Sequence, residues 1–307
     1  MSLTREPPTT TAIPGPTDPA ARRRIWALLA VAVVCAAAFG VVAAFLKSHG
    51  WTSPFDQGVN LLMRNLRNPW TTQFMWVMSL PGDPPVIAPL TVVASLVLAI
   101  WGWRSGAVLL ALTMVSEAAV QSLESSAFAR PRPPAEFALI QRPTTLSFPS
   151  GHAWASLLLA SVLGLVLWRT LPKHRSVRVV IVCAVVVVAM LVGVSRVYLG
   201  VHWPSDVAGG WMMAVVSLVV ARAIYLWVVK RFCIKERGST LGPGWFRIAV
   251  TALGVVLAVG LLVYDAGLNP LLPRGSQGQG PRAHAATDVT RSPDRPTSAR
   301  ERQATCA

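Results

Sequence analysis

Long apolar runs separated by short polar connections dominate the sequence. Seven of them have about the twenty residues that a helix needs to cross the hydrocarbon core of a bilayer. They cover residues 25–46, 86–103, 106–125, 153–171, 177–195, 207–229 and 246–264. A further stretch, residues 55–78, is amphipathic. This pattern predicts an all-α fold: a polytopic membrane helical bundle.

The pattern also divides the chain into regions. Residues 1–24 are rich in Pro and Thr and end in three arginines, so we expect a disordered cytoplasmic tail. Residues 25–230 would form a six-helix membrane domain, and residues 231–265 a basic loop with a seventh helix. Residues 266–307 would be a second disordered tail. The first apolar run is long for a signal peptide, which favours an uncleaved first helix.

Basic residues indicate an orientation. The formal net charge is +15, while 53% of the residues are hydrophobic. If the N-terminus is cytoplasmic, every inner connection is basic, as cytoplasmic loops of membrane proteins usually are. The connections within residues 47–85, 128–152 and 199–205 then lie on the extracytoplasmic side of the cell membrane. The positive charge favours contact with the lipid bilayer, and no motif for binding nucleic acid accompanies it.

Two groups of chemically useful residues fall in one outer connection. Arg130 and Arg132 carry fork-shaped cations that suit phosphate oxygens. Ser150, Gly151 and His152 open a helix, where free backbone N–H groups bind an anion. His152 can also transfer a proton. Taken alone, the arginines could contact lipid headgroups, and the second group could be an ordinary helix cap.

A third group lies between residues 195 and 206. Arg196 can hold an oxyanion, and His202 stands four positions before Asp206. If Pro204 begins the next helix, Asp206 can orient one ring nitrogen of His202 and leave the other free to attack. Alone, this could be an interfacial ion pair, but three such groups on one membrane face favour a shared site.

The combined chemistry points to phosphoryl transfer through a phosphohistidine. His202 would be the nucleophile, and His152 would protonate the leaving oxygen and later activate water. Neither the cysteines nor the carboxylates show metal-binding spacing, so we expect no metal and no cofactor.

These motifs resemble the type 2 phosphatidic acid phosphatase family, which also contains the vanadium haloperoxidases. The matching order is Arg-Pro, Pro-Ser-Gly-His and Ser-Arg-x5-His-x3-Asp, within roughly residues 86–229. The resemblance implies a six-helix phosphatase core, here with one extra C-terminal transmembrane helix. It also implies a lipid phosphate or diphosphate substrate, such as phosphatidic acid, phosphatidylglycerol phosphate or a polyprenyl phosphate. The implied catalytic residues are His202, His152 and Asp206, and the implied phosphate-binding residues are Arg132, Arg196, Ser150, Gly151 and Arg130.

One position departs from the family pattern. Members usually carry a Lys seven residues before the final Arg-Pro, and counting back from Arg132 leads to Ser125. We expect Arg130 or Arg142 to supply the missing charge. Two alternatives stay open: a lipid-phosphate-binding or transporting protein without turnover, and a phosphotransferase to an acceptor other than water. Of two nearby acids, Glu117 is expected inside the third helix, and Glu124 beside an arginine.

Overall fold

The computed structural model describes residues 19–51, 53–170, 174–231, 244–268 and 270–271. Within these ranges the chain forms nine α-helices, two short 3-10 turns and no strand. The helices are α1 (Pro19–Ser48), α2 (Pro54–Asn65), α3 (Pro69–Ser79), α4 (Pro84–Ile100), α5 (Arg104–Phe128), α6 (Gly151–Thr170), α7 (Arg175–Tyr198), α8 (Pro204–Arg231) and α9 (Gly244–Leu268). The predicted all-α membrane bundle is confirmed, and each of the seven apolar runs is a helix.

The helices differ in whether their length and hydropathy suffice to span a membrane. Four of them, α1, α5, α7 and α8, are long and apolar enough to span a membrane. Helices α3 and α4 form a bent pair, with an angle of 53°, that passes the same test as one unit. Helices α6 and α9 contain shorter apolar stretches. These features describe a multi-pass membrane protein.

The ends of the chain differ in part from the expectation. Helix α1 begins at Pro19, so residues 19–24 are helical although the sequence assigned them to a disordered tail. Helix α9 likewise continues to Leu268. Both remaining tails and most of the basic loop after α8, with Cys233 and Cys306, lie outside the described residues.

The amphipathic stretch forms two short helices, and the break between them has a local cause. Asn68 accepts hydrogen bonds from the backbone N–H groups of Trp70 and Thr71, and Pro69 occupies the first position of α3. A capping side chain followed by Pro starts a new helix, because Pro has a preset φ and needs no hydrogen-bond acceptor for its nitrogen. Helix α3 then packs against α7, which brings Ser79 and the turn after it to the bundle.

Helix α6 is the centre of the bundle and packs against α5, α7 and α8. Trp154 and Leu158 of α6 are almost completely buried in the largest apolar cluster. Gly210 of α8 lies against the start of α6: a Cβ there would lie 2.5 Å from the carbonyl oxygen of Ser150. Only glycine permits this distance, which places the start of α6 directly against α8.

Candidate active site

A cavity of about 1200 Å³ lies between α4, α5 and the start of α6. One end of it is polar and includes Asp83, Arg132, Arg142, His152, Arg196, His202 and Asp265. Apolar side chains of α4 and α5, such as Ile87, Val92, Leu96 and Met114, line most of the remaining wall. The cavity therefore joins a charged pocket to an apolar groove.

His202 stands at the polar end in the connection before α8. Its side chain is almost completely buried, and its Nδ1 lies 3.4 Å from Oδ2 of Asp206, a long contact. The backbone N–H of Trp203 donates to the same Oδ2 at 2.8 Å and holds the carboxylate in place. Nε2 of His202 lies 3.0 Å from Nη1 of Arg132. The contact of Nδ1 with Asp206 is the predicted one, and the attack by Nε2 stays a prediction.

The surroundings of His202 keep its imidazole neutral. Burial disfavours the charged ring, and the positive charges of Arg132 and Arg196 repel a further proton. Together they hold the pKa of His202 well below its usual 6.5. A neutral ring retains the lone pair that a nucleophile needs.

Arg132 is fixed by backbone oxygens of the surrounding loops. Its Nε donates to the carbonyl oxygen of Thr145 at 2.7 Å, and its Nη1 donates to that of Val201 at 2.8 Å. Burial and the nearby Arg196 lower the pKa of Arg132 to about 10. Arg132 therefore remains a cation at neutral pH.

Arg130 points away from the cavity, contrary to the expectation that it binds phosphate. It is completely buried and forms ion pairs with Asp56, at 2.7 Å, and with Asp206. It also donates to the Ser205 hydroxyl and to the carbonyl oxygen of Trp51. These contacts occupy all five of its N–H groups, so none is available for a ligand. Arg130 is a structural cation that also fixes the position of Asp206.

The start of α6 contributes Ser150, Gly151 and His152. Gly151 and His152 line the cavity. The backbone N–H of Ser150 donates to the carbonyl oxygen of Asp206 at 3.0 Å, which places this turn beside His202. The Ser150 hydroxyl is buried and has no hydrogen-bond partner within the part of the chain that is described. Ser150 itself is not among the residues that line the cavity, so its contact with phosphate stays a prediction.

Arg196 and Asp83 complete the polar end of the cavity. Nη1 of Arg196 donates to the Ser79 hydroxyl at 2.6 Å and lies 3.6 Å from Oδ1 of Asp83. Nε2 of His152 forms a short hydrogen bond with the same Asp83 oxygen. Burial raises the pKa of Asp83, but the hydrogen bond to His152 and the positive charge of Arg196 outweigh this effect and lower it.

Asp56, Asp83 and Asp265 were not among the predicted site residues. The sequence points to them only weakly: acidic residues are scarce in this chain, which has 13 of them. Asp56 and Asp83 also lie in the connection that the charge pattern placed with the three motifs. Glu117 lines the apolar part of the cavity wall, and Arg142 its polar end. The side chains of Glu124 and Ser125 lie outside the described residues.

Comparisons with known proteins agree with this geometry. Residues 106–233 match the family model of the PAP2 superfamily. Phosphatidylglycerophosphatase B from Bacillus subtilis (strain 168) is 27% identical over 187 residues, which is 60% of this chain and 89% of that protein. An undecaprenyl-diphosphatase from Sulfolobus acidocaldarius is 42% identical over 77 residues, which is 25% of this chain and 32% of that protein.

One solved structure shows the same fold. It is a crystal structure of a transmembrane PAP2 type phosphatidylglycerolphosphate phosphatase from Bacillus subtilis. The alignment has a TM-score of 0.55 at 23% identity and covers 67% of this chain and 98% of the other.

Proposed function

We propose that this chain, which belongs to the PAP2 superfamily through residues 106–233, is a membrane lipid phosphatase. The observation that carries the proposal is the position of His202. One of its ring nitrogens faces Asp206, and the other stands beside Arg132 at the polar end of a cavity that continues as an apolar groove. The names of the two relatives, one acting on a phosphatidylglycerol phosphate and one on a polyprenyl diphosphate, support a lipid phosphate or diphosphate monoester as substrate.

In the first step Nε2 of His202 attacks phosphorus, and the bond from phosphorus to the lipid oxygen breaks. Asp206 accepts the proton of Nδ1 in a hydrogen bond and stabilises the positive charge that develops on the ring. The Asp83 carboxylate accepts the proton of Nε2 in a hydrogen bond and stabilises the protonated ring of His152, whose other nitrogen, Nδ1, gives its proton to the leaving oxygen. The lipid alcohol leaves, and a phosphohistidine remains.

In the second step His152, now neutral, takes a proton from water. The water oxygen attacks phosphorus, the bond to Nε2 of His202 breaks, and inorganic phosphate leaves. The imidazole of His202 returns to its neutral form, which its buried and cationic surroundings favour. No metal takes part in either step of the proposed reaction.

The charge that develops on the phosphoryl oxygens meets Arg132, Arg196 and the N–H group of Gly151, with the Ser150 hydroxyl at the same helix start. We propose that Arg142, rather than Arg130, replaces the family Lys that is absent at Ser125. Arg142 lines the polar end of the cavity, and its positive charge contributes to the lowered pKa of Arg132, so the two cations lie within electrostatic reach.

We also propose that the site faces the extracytoplasmic side of the cell membrane. The basic inner connections of the sequence support this orientation. Glu136 offers a test, because it is exposed in the connection between α5 and α6. In a background without native cysteines, E136C should react with a membrane-impermeant maleimide in intact cells. Reaction only after the cells are opened would reverse the orientation.

The function is tested by phosphate release from a panel of lipid phosphates and diphosphates in detergent, with and without EDTA. We expect release that EDTA leaves unchanged, and in H202A a loss of about a thousandfold or more. The matched control is H174A, since His174 is an exposed histidine at the start of α7. Radioactive phosphate should remain on the wild-type protein after an acid-free denaturing quench, and should be absent from H202A.

The same assay separates the alternatives. A protein that only binds or transports lipid phosphate would retain phosphate analogues and release no phosphate from any lipid. A phosphotransferase would move the label to an added alcohol. Full turnover in H202A would exclude the nucleophile assigned here.

A further inference from the structure

Helix α9 lies beyond the residues that match the family, which end at residue 233. It packs along α4 and against the 3-10 turn Leu80–Gly82. Nε1 of Trp101 donates to the Thr251 hydroxyl of α9 at 3.1 Å. A Cβ on Gly254 would lie 2.7 Å from a methyl group of Val93, so this glycine brings α9 close to α4. Helix α9 is therefore docked on one of the two helices that form the cavity wall.

Near its C-terminal end α9 places an acidic side chain in the active site. Asp265 is completely buried and lines the same cavity as His152, Arg196 and His202. It is hydrogen-bonded to Asp83, the residue that contacts both His152 and Arg196. Asp265 also lies within electrostatic reach of Arg196.

Two carboxyl groups in hydrogen-bond contact hold one proton between them, because two adjacent negative charges cannot both be kept in a buried site. Asp83 has the ion-pair partners that stabilise a carboxylate, namely Arg196 and His152. The hydrogen bond lowers the pKa of Asp83, as a bond that Asp265 donates to it does. This arrangement leaves one Asp83 oxygen directed at His152.

We propose that Asp265 is a positioning residue of the active site, acting through Asp83 on His152 and Arg196. Helix α9 would thus complete the general acid and the phosphate clamp of a domain whose family match ends before it. The proposal rests on the phosphatase function proposed above, since the roles of His152 and Arg196 come from that mechanism.

The competing explanation is structural: a buried Asp that only attaches α9 to the bundle. Two substitutions distinguish the explanations. D265A removes the hydrogen bond to Asp83, whereas D265N keeps an N–H donor of similar shape and no charge. V263A is the matched control, because Val263 is an exposed residue of the same helix.

We expect D265A to lower kcat by about tenfold or more, the effect of one hydrogen bond to a charged group, with KM changed by less than about threefold. D265N should recover most of that loss, and V263A should equal the wild type. Purified protein with uniformly ¹⁵N-labelled histidine gives a second measurement that needs no turnover. The His152 signals, assigned with H152Q, should titrate with a midpoint displaced by about half a pH unit or more in D265A and near that of the wild type in D265N.

The outcomes separate this proposal from the proposed function. If the wild type releases no phosphate from any lipid but D265A displaces the His152 titration, the positioning role stands and the phosphatase function falls. If the wild type is active and D265A leaves both kcat and the His152 titration unchanged, the positioning role is wrong. Equal losses of activity and of thermal stability in D265A and D265N, with an unchanged His152 titration, would show the structural explanation to be correct.

Discussion

Replacing Arg130 by Gln should destabilise the protein strongly, although Arg130 does not touch the cavity. The substitution leaves the carboxylates of Asp56 and Asp206 buried without their shared cation, and both are completely buried. Removing one partner of a buried ion pair costs roughly 3–5 kcal/mol. Counting two charged hydrogen bonds at about 1.5–3 kcal/mol each gives a similar total.

This loss can be measured as thermal unfolding in detergent at a fixed scan rate, followed by the fluorescence of the 12 tryptophans. At about 2–4 °C per kcal/mol for a domain of this size, R130Q should unfold roughly 6–20 °C below the wild type. Its remaining activity should also fall, because Asp206 loses one of the groups that hold it beside His202.

The matched variant is R132Q, the same substitution two positions along the same loop. Arg132 bonds to carbonyl oxygens at the cavity rather than to a carboxylate at hydrogen-bond distance, so R132Q leaves no acid newly unpaired in the interior. We expect R132Q to lose less than about 2 kcal/mol of stability and to lose most of its turnover. The reasoning is refuted if R130Q unfolds within about 2 °C of the wild type and its main defect is a raised KM, because that result would place Arg130 at the phosphate.

Three further predictions concern the site and its support. R142A should lower kcat/KM by about tenfold or more if Arg142 replaces the missing family Lys, and an unchanged value would show that the other cations suffice. The acid limb of the kcat/KM profile against pH should lie below pH 6.5, because the lowered pKa keeps His202 neutral at higher pH; a limb above 6.5 would contradict the effect of burial. G210A should lose both stability and activity, since the added methyl group would meet the backbone of Ser150, whereas G260A, with nothing within 4 Å, should behave like the wild type in the same two assays.

The arginine pair shows how far the sequence alone could lead. The motif predicted a cation for phosphate at Arg132, and the structure places Arg132 at the cavity. The motif also predicted that Arg130 binds phosphate, because the local sequence does not distinguish two arginines that are separated by one proline. The partner that decides the matter is Asp56, which is 74 positions away on α2. Such a distant pairing leaves no local signal.

The helices and the carboxylates show the same contrast. Each apolar run predicts a helix without information from distant residues, because the length and composition of a span are local properties. His202 and Asp206 could be paired for the same reason, since four positions at a helix start fix their separation. Asp83 and Asp265 could not be paired, because their contact depends on how α9 packs against α4. The break in the amphipathic stretch at Asn68 was readable from its cap and Pro69, and the prediction did not use that signal.

The wide spread of these contacts along the chain has a consequence for biosynthesis. Arg130 can meet Asp56 once residue 130 has left the ribosome, but its second partner, Asp206, is made 76 residues later. Asp265, the partner of Asp83, is made later still, and among the described residues it is the last in the sequence that lines the cavity. A nascent chain therefore carries His202, the proposed nucleophile, well before the carboxyl group proposed to align His152. The proposed alignment of His152 should therefore form only after α9 has been made and has packed against α4.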